Sequence, residues 1–341
     1  MQKYKENGNF DRLIEIVKEK SINLKFWLKK FIGGLTMLCL IGLAIIPIFI
    51  QDPYYLRSFF IKAMIYTIFA ASWDFLAGFV GQVSFGHAIF LGMGGYITGF
   101  LLVNLNMNWI LALLIGALGA IALGLIIAIP ALRLKGPYFA LGTLVFGVIL
   151  YTIFKMPVFD DFIPGITGIP KLSTNPVISY YIHFIFMIIS LITLLLITKS
   201  NFGTTLKAIR DDDKGARASG INISKKKIIA FIISALFASI AGGLFAMFTR
   251  SADYGSFQVQ FSFYPVIFAS IGGIATITGS ALGAFFFILV LESLVYAGGS
   301  VAIGLLILSI ILLIVIRFAE EGMLKPAVEH LKDLYDVLMA K

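Results

Sequence analysis

Five side chains with a titratable group interrupt long apolar runs of this chain: Lys62, Asp74, His87, His183 and Glu292. A lone charge in hydrocarbon costs roughly 3 kcal/mol on insertion scales, so each is a candidate for an ion site, a proton relay or a buried hydrogen bond. Lys62 is placed to snorkel toward an interface. His183 stands beside Tyr180 and Tyr181, and Glu292 reads as half of a structural pair. Asp74 and His87 flank the densest polar interruption and are the stronger candidates, with a structural hydrogen bond as the expected role of each. The chain contains no HExxH, paired-aspartate, serine-triad or GxxxxGKS/T pattern, which argues against catalysis or nucleotide binding here. Any ATP must therefore be hydrolysed by another chain. Cys39 is the single cysteine, so neither an internal disulfide nor a metal site with several cysteine ligands follows.

The interruption runs from Phe79 to Tyr96, where Gly81, Gln82, Ser84, Gly86, His87, Gly92, Gly94, Gly95 and Tyr96 break the aliphatic pattern. Small residues let helices approach closely, while Gln82, Ser84 and His87 can bond backbone groups freed by a break. A tight turn and a discontinuous helix are both open. The density of the cluster favours a solute path, because free helix ends offer N–H and C=O groups to a zwitterion. A second interruption holds Gly272, Gly273, Thr276, Thr278, Gly279, Ser280 and Gly283. Asp74 and the cluster Gly81, Gln82, Ser84, Gly86, His87, Gly94, Gly95 and Tyr96, with Gly272, Gly273 and Gly279, are expected to line that path. The placing of the two breaks suggests a duplication of four-helix units, roughly 58–155 and 228–317.

The elements that must hold these residues are membrane-spanning helices. Apolar residues make up 59% of the chain, charged residues 13%, and mean hydropathy is +0.96, against about half and a quarter in soluble domains. Ten apolar runs fall near 31–50, 58–80, 82–104, 109–129, 138–155, 178–198, 228–248, 264–278, 280–297 and 301–317. The expectation is an all-α polytopic bundle of about ten spans. With both termini inside, segments 1–30, 130–137, 199–227 and 317–341 hold 22 of the 27 Lys and Arg, the bias expected of inward segments. That bias also explains the net charge of +9 without nucleic acid. Residues 1–30 read as a cytosolic amphipathic segment, 31–317 as the membrane domain and 318–341 as a cytosolic tail.

One inward loop, Lys199 to Lys227, is long enough to dock a soluble partner. An aspartate at 212 or 213 can cap a short helix and Gly220 can stop it, with Asp213 and Arg217 one turn apart. Gly215, Ala216 and Ala218 would form a thin face for close approach, and Arg210 with the aspartates would make charged contacts.

Four ordered stretches resemble one family: Gly81-Gln-Val-Ser-Phe-Gly-His-Ala-Ile-Phe-Leu-Gly-Met-Gly-Gly-Tyr96, Leu132-Arg-Leu-Lys-Gly-Pro-Tyr-Phe-Ala-Leu-Gly-Thr143, Phe202-Gly through Ala208-Ile-Arg-Asp-Asp212 to Ala216 and Gly220, and Gly272-Gly to Gly279 and Gly283-Ala. Together they are similar to the permeases of branched-chain amino-acid ABC importers, of the LivM type. The chain departs from the pattern at Gly95, where alanine is usual, and at Ser280, where proline is common. The resemblance implies a non-enzymatic permease subunit in a prokaryotic plasma membrane. It implies a related second permease, two cytosolic ABC ATPases that hold ATP and magnesium, an external substrate-binding protein and an amino-acid cargo. Ala208, Arg210, Asp211, Asp212, Asp213, Ala216, Arg217 and Gly220 would then form the coupling helix seated on an ATPase, and Gly81 to Tyr96 would help form the path. Urea or short-amide import is the alternative within the same class. An ion-coupled secondary transporter is the alternative from another class, and a membrane enzyme is a third.

Overall fold

A computed structural model describes residues 40–50, 52–132, 134, 136–156 and 165–318. The segment expected over 1–30, Cys39, and residues 319–341 of the tail lie outside these residues. Taken by itself, the first described stretch forms one apolar helix, α1, Leu40–Phe49.

The main body follows in order: α2 (Tyr55–Val80), α3 (Ala88–Asn104), α4 (Trp109–Ala131), α5 (Pro137–Lys155), strand β1 (Ile166–Thr167), α6 (Pro176–Lys199), α7 (Asn201–Asp211), α8 (Asp213–Ala218), α9 (Ile223–Thr249), β2 (Ser251–Ala252), α10 (Val259–Gly272), α11 (Ile277–Tyr296) and α12 (Val301–Phe318). Every apolar run of the sequence carries a helix. Among the described residues, α2, α4, α5, α6, α9 and α11 are long and apolar enough to cross a membrane. Helices α3 and α10 are shorter, α3 following the non-helical segment 81–87 and α10 following 250–258, which holds β2 and a 3-10 turn at Tyr254–Phe257.

Helix α2 is the axis. Its residues from Ala63 to Val80 are all buried, as expected of a helix apolar on every side. It ends at Gly81, whose φ of +75° is open to glycine, with Gly81 N–H donating to Ala77 O and Gln82 N–H to Leu76 O. These paired bonds satisfy carbonyls that the last turn leaves free. Asn222 starts α9 by accepting from Lys225 N–H, and α9 runs antiparallel to α2. Arg57 near the start of α2 reaches the Phe248 carbonyl near the end of α9.

Packing then divides in two. Helices α3 and α4 lie against α9, while α10 and α11 lie against α2. Small residues make the α3–α9 seam. A Cβ on Gly242 would stand 2.0 Å from the Leu91 carbonyl oxygen, and one on Gly94 would stand 2.3 Å from that of Ser239. Such contact between helix backbones is a known means of association in lipid, where no hydrophobic drive separates helix from solvent.

The two glycine-rich interruptions resolve differently. Residues 81–87 form a non-helical segment between α2 and α3, a true break, buried at Gln82, Ser84, Gly86 and His87 and exposed at Gly81 and Val83. Residues 273–276 instead form a tight turn between antiparallel α10 and α11, with Gly272 against Gly279 and Gly283. The element that follows α9 as 81–87 follows α2 is 250–258, which begins at left-handed Arg250 and holds β2. That segment is pinned by pairing of Ile166 with Ala252 and of Thr167 with Ser251.

Candidate functional site

The segment 81–87 cannot bond to itself as a helix does, so its backbone groups need partners from elsewhere. Hydroxyls and an indole supply them. Trp73 Nε1 donates to the Ser84 carbonyl at 2.7 Å, Phe85 N–H donates to Thr143 Oγ1 at 3.1 Å, and Ala88 N–H donates to Ser262 Oγ at 3.0 Å. These three donors and acceptors come from α2, α5 and α10. His87 closes the segment, with Nε2 2.9 Å from Ser72 Oγ and its ring between Phe69 and Phe90. Ser234 of α9 donates in turn to the Ser72 carbonyl at 2.7 Å. The break is therefore held by both halves of the body.

Asp74 and Gly78 lie four apart on one face of α2. Asp74 Oδ1 accepts from Ala275 N–H at 2.7 Å, which fixes the α10–α11 turn. Gly78 lets that turn lie close, because an added Cβ would meet Ala275 backbone at 2.5 Å. The Gly78 carbonyl accepts from Arg210 Nη1 at 2.7 Å, and Arg210 Nε donates to Asp211 Oδ1 at 2.9 Å. A single helical turn thus joins the loop 199–227 to both glycine-rich interruptions.

That loop is a helical hook. Ser200 caps α7 through Gly203 N–H, and Asp212 caps α8 through Lys214 N–H. Gly220, with φ +79°, ends α8, and Ile221 N–H returns to the Ala216 carbonyl. Two expectations change here. Ala216 does not belong to an outer small-residue face: it is 7% exposed and packs inward with Ile209, Ile221 and Ile223. Asp213 pairs with Lys227 at 3.1 Å rather than with Arg217. Ala208, Asp211, Asp212, Arg217, Ala218 and Gly220 remain exposed.

Between the hook and the end of α2 lies a cavity of about 740 Å³, reached by Gly81, Gln82, Leu134, Arg217 and Ser224. Other expected path residues sit elsewhere. Gly94 and Gly95 face Ser239, Gly242 and Ala246 of α9, Gly272 and Gly279 face each other, and Tyr96 packs on Phe154 at 5.3 Å. Gly273 starts the turn that Asp74 holds, with φ +116°. Glu292 is paired with Lys62 at 2.5 Å, joining α11 to α2. His183 Nδ1 lies 2.7 Å from the Ser179 carbonyl. The hydroxyls of Ser72, Thr143, Ser234 and Ser262 were not singled out from sequence, because isolated Ser and Thr occur throughout apolar helices.

Comparison with known proteins places this geometry in context. The family model described as branched-chain amino acid transport system / permease component matches residues 55–316. The chain is 26% identical over 243 residues to the high-affinity branched-chain amino acid transport system permease protein LivM of Escherichia coli, covering 62% of this chain and 57% of that protein. It is 24% identical over 249 residues to the probable branched-chain amino acid transport permease protein LivM of Methanocaldococcus jannaschii, covering 63% and 70%. A tyrosine transport system permease protein of Clostridioides difficile is 29% identical over 161 residues, covering 47% and 54%. The match thus spans little more than half the length of the Escherichia coli relative. No solved structure gives a significant match.

Proposed function

The chain belongs to the family of branched-chain amino acid transport permease components, and from that premise we propose that it is the membrane subunit of an ATP-driven importer of leucine, isoleucine and valine. The observation that carries this reading is that the matched stretch contains both the broken segment 81–87 and the hook 199–227, with Arg210 bonded across to Gly78. A hook that touched only its own loop would have no means of moving the bundle.

On this reading ten spans place both termini in the cytosol of a prokaryotic cell, and the Gly81 end of α2 faces inward with the hook. Two partner ATPases hold ATP and magnesium, one on this hook and one on a related second permease. An external binding protein delivers the amino acid. Closure of the ATPases displaces α7 and α8, and Arg210 transmits the displacement to the last turn of α2 as a rigid-body change. The units near 58–155 and 228–317 are read as a duplication. Their long helix, connecting segment, short helix and two further helices follow in the same order, with 250–258 as the counterpart of 81–87.

Uptake by the complex reconstituted in proteoliposomes tests the reading. Labelled leucine, isoleucine and valine are expected to enter only with ATP on the hook side, and urea not at all. A tyrosine arm is included because one relative is named for that cargo. Uptake driven by an ion gradient without ATPases would establish a secondary transporter instead.

A further inference from the structure

We propose that the cavity between Gln82 and the hook is a release-side binding site for an aliphatic amino-acid zwitterion, and that its occupant slows further import. This rests on the import reading, which sets the cavity on the cytosolic side. At about 740 Å³ the space falls within the range of small-ligand sites. Its wall carries three kinds of surface. Val80, Ile209 and Ile228 offer an apolar side suited to a branched aliphatic chain.

Gln82 is the second kind. It is 7% exposed, yet its Oε1 has no hydrogen-bond partner among the described residues. A buried amide oxygen without a donor is unusual and calls for one, which a small turn of the side chain toward the cavity would let an ammonium group supply. The third kind is positive. Arg210 is engaged by Gly78 and Asp211, and Lys227 by Asp213. Arg217 has no acidic partner among the described residues and lines the same cavity. The N-terminus of the 27-residue α9 reaches the wall at Ser224, where its amides and dipole also favour a carboxylate. Carboxylate toward Arg217 and Ser224, ammonium toward Gln82 and an aliphatic chain on Val80 and Ile228 use all three surfaces.

The walls come from the end of α2, the α4–α5 connection, the start of α9 and the hook, and the proposed ligand spans two of these, the end of α2 and the hook. A ligand spanning both resists any change in their spacing, and by linkage the hook's position must alter the ligand's affinity equally. Cargo accumulating inside would then oppose the displacement that drives import.

The test uses the full chain purified in lipid nanodiscs with the subunits that copurify, titrated calorimetrically. L-Leucine is expected to bind saturably. 4-Methylpentanoate, which lacks the ammonium, and 3-methylbutylamine, which lacks the carboxylate, are each expected to bind about tenfold or more weakly. Arg217→Ala and Gln82→Leu should each weaken leucine by about tenfold, while Gln82→Glu, which keeps an acceptor, and Lys225→Ala, outside the cavity, should not. Melting curves identify any variant that fails to fold. In proteoliposomes, leucine preloaded on the ATP side should slow uptake by wild type and less so by Arg217→Ala. The proposal is overturned if folded wild type binds no leucine, if the truncated analogues bind as well, or if Arg217→Ala and Gln82→Glu bind alike. Leucine import without such binding removes this site and leaves the import reading intact. Leucine binding without ATP-driven import does the reverse.

Discussion

Arg210 divides one guanidinium between a carbonyl of α2 and a carboxylate of its own hook, using two separate nitrogens of a rigid planar fork that the single nitrogen of a lysine does not reproduce. Arg210→Ala is expected to cut ATP-driven uptake by about tenfold or more while ATP hydrolysis persists, with Arg210→Lys intermediate. Uptake at the wild-type rate by the alanine variant would remove the transmission role. A second prediction concerns stability. Gly242→Ala forces a methyl against the Leu91 carbonyl and should cost about 1–3 kcal/mol, read as a lowered melting temperature. Gly147→Ala should be nearly neutral, because the nearest atom to its added Cβ is 3.7 Å away. Residue types were a partial guide at this scale. Asp74 and His87 stood out as polar atoms in apolar runs, and both make buried hydrogen bonds. Whether Gly94 faces a path or a neighbouring helix was not readable, since either use requires the same missing side chain. Ala216 misled for a related reason: a small residue reads as open to a partner until the side it faces is known.

At the scale of elements, the break at 81–87 persists because hydroxyls from distant helices complete its backbone bonds. Thr143→Val strands the Phe85 N–H of that segment, and Ser262→Ala strands the Ala88 N–H at the first residue of α3. Each should destabilise by about 1–3 kcal/mol and raise amide exchange locally around 85–88 rather than throughout the bundle. Unchanged exchange there would show that other groups hold the segment. The Lys62–Glu292 pair offers a cycle of its own. Lys62→Met alone leaves a largely buried carboxylate and should cost a few kcal/mol, while adding Glu292→Leu should recover most of the loss. Additive losses would mean that the two charges do not depend on each other. The apolar helices among the described residues were legible as apolar runs, but the difference between a break and a turn was not. Glycine serves both, and the outcome depends on partners such as Thr143 and Ala275, far away in sequence.

Over the whole molecule, the packing of α3 and α4 on α9, and of α10 and α11 on α2, exchanges helices between the two halves. The loop from α6 to α9 and the α3–α4 connection then lie at opposite ends. With Cys39 replaced by serine, Ala218→Cys should react with an impermeant thiol reagent only from the cytosolic side, and Asn104→Cys only from outside. Labelling of both from one side would refute the topology. The basic residues legible in sequence predict this orientation, whereas the exchange between halves leaves no trace in local periodicity.

The position of α2 also bears on how the protein is made. Asp74, Ser72 and Lys62 emerge early in synthesis, yet their partners Ala275, Ser234 and Glu292 lie 201, 162 and 230 residues further along the chain. For most of translation the carboxyl group of Asp74 and the ammonium group of Lys62 stand in lipid or in the insertion machinery without these partners, although the Ser72 hydroxyl can already bond the Phe69 carbonyl. The nascent chain therefore has a long interval of vulnerability to membrane proteases. A polypeptide stopped before residue 260 should be degraded quickly, and supplying the missing second half as a separate chain should protect it.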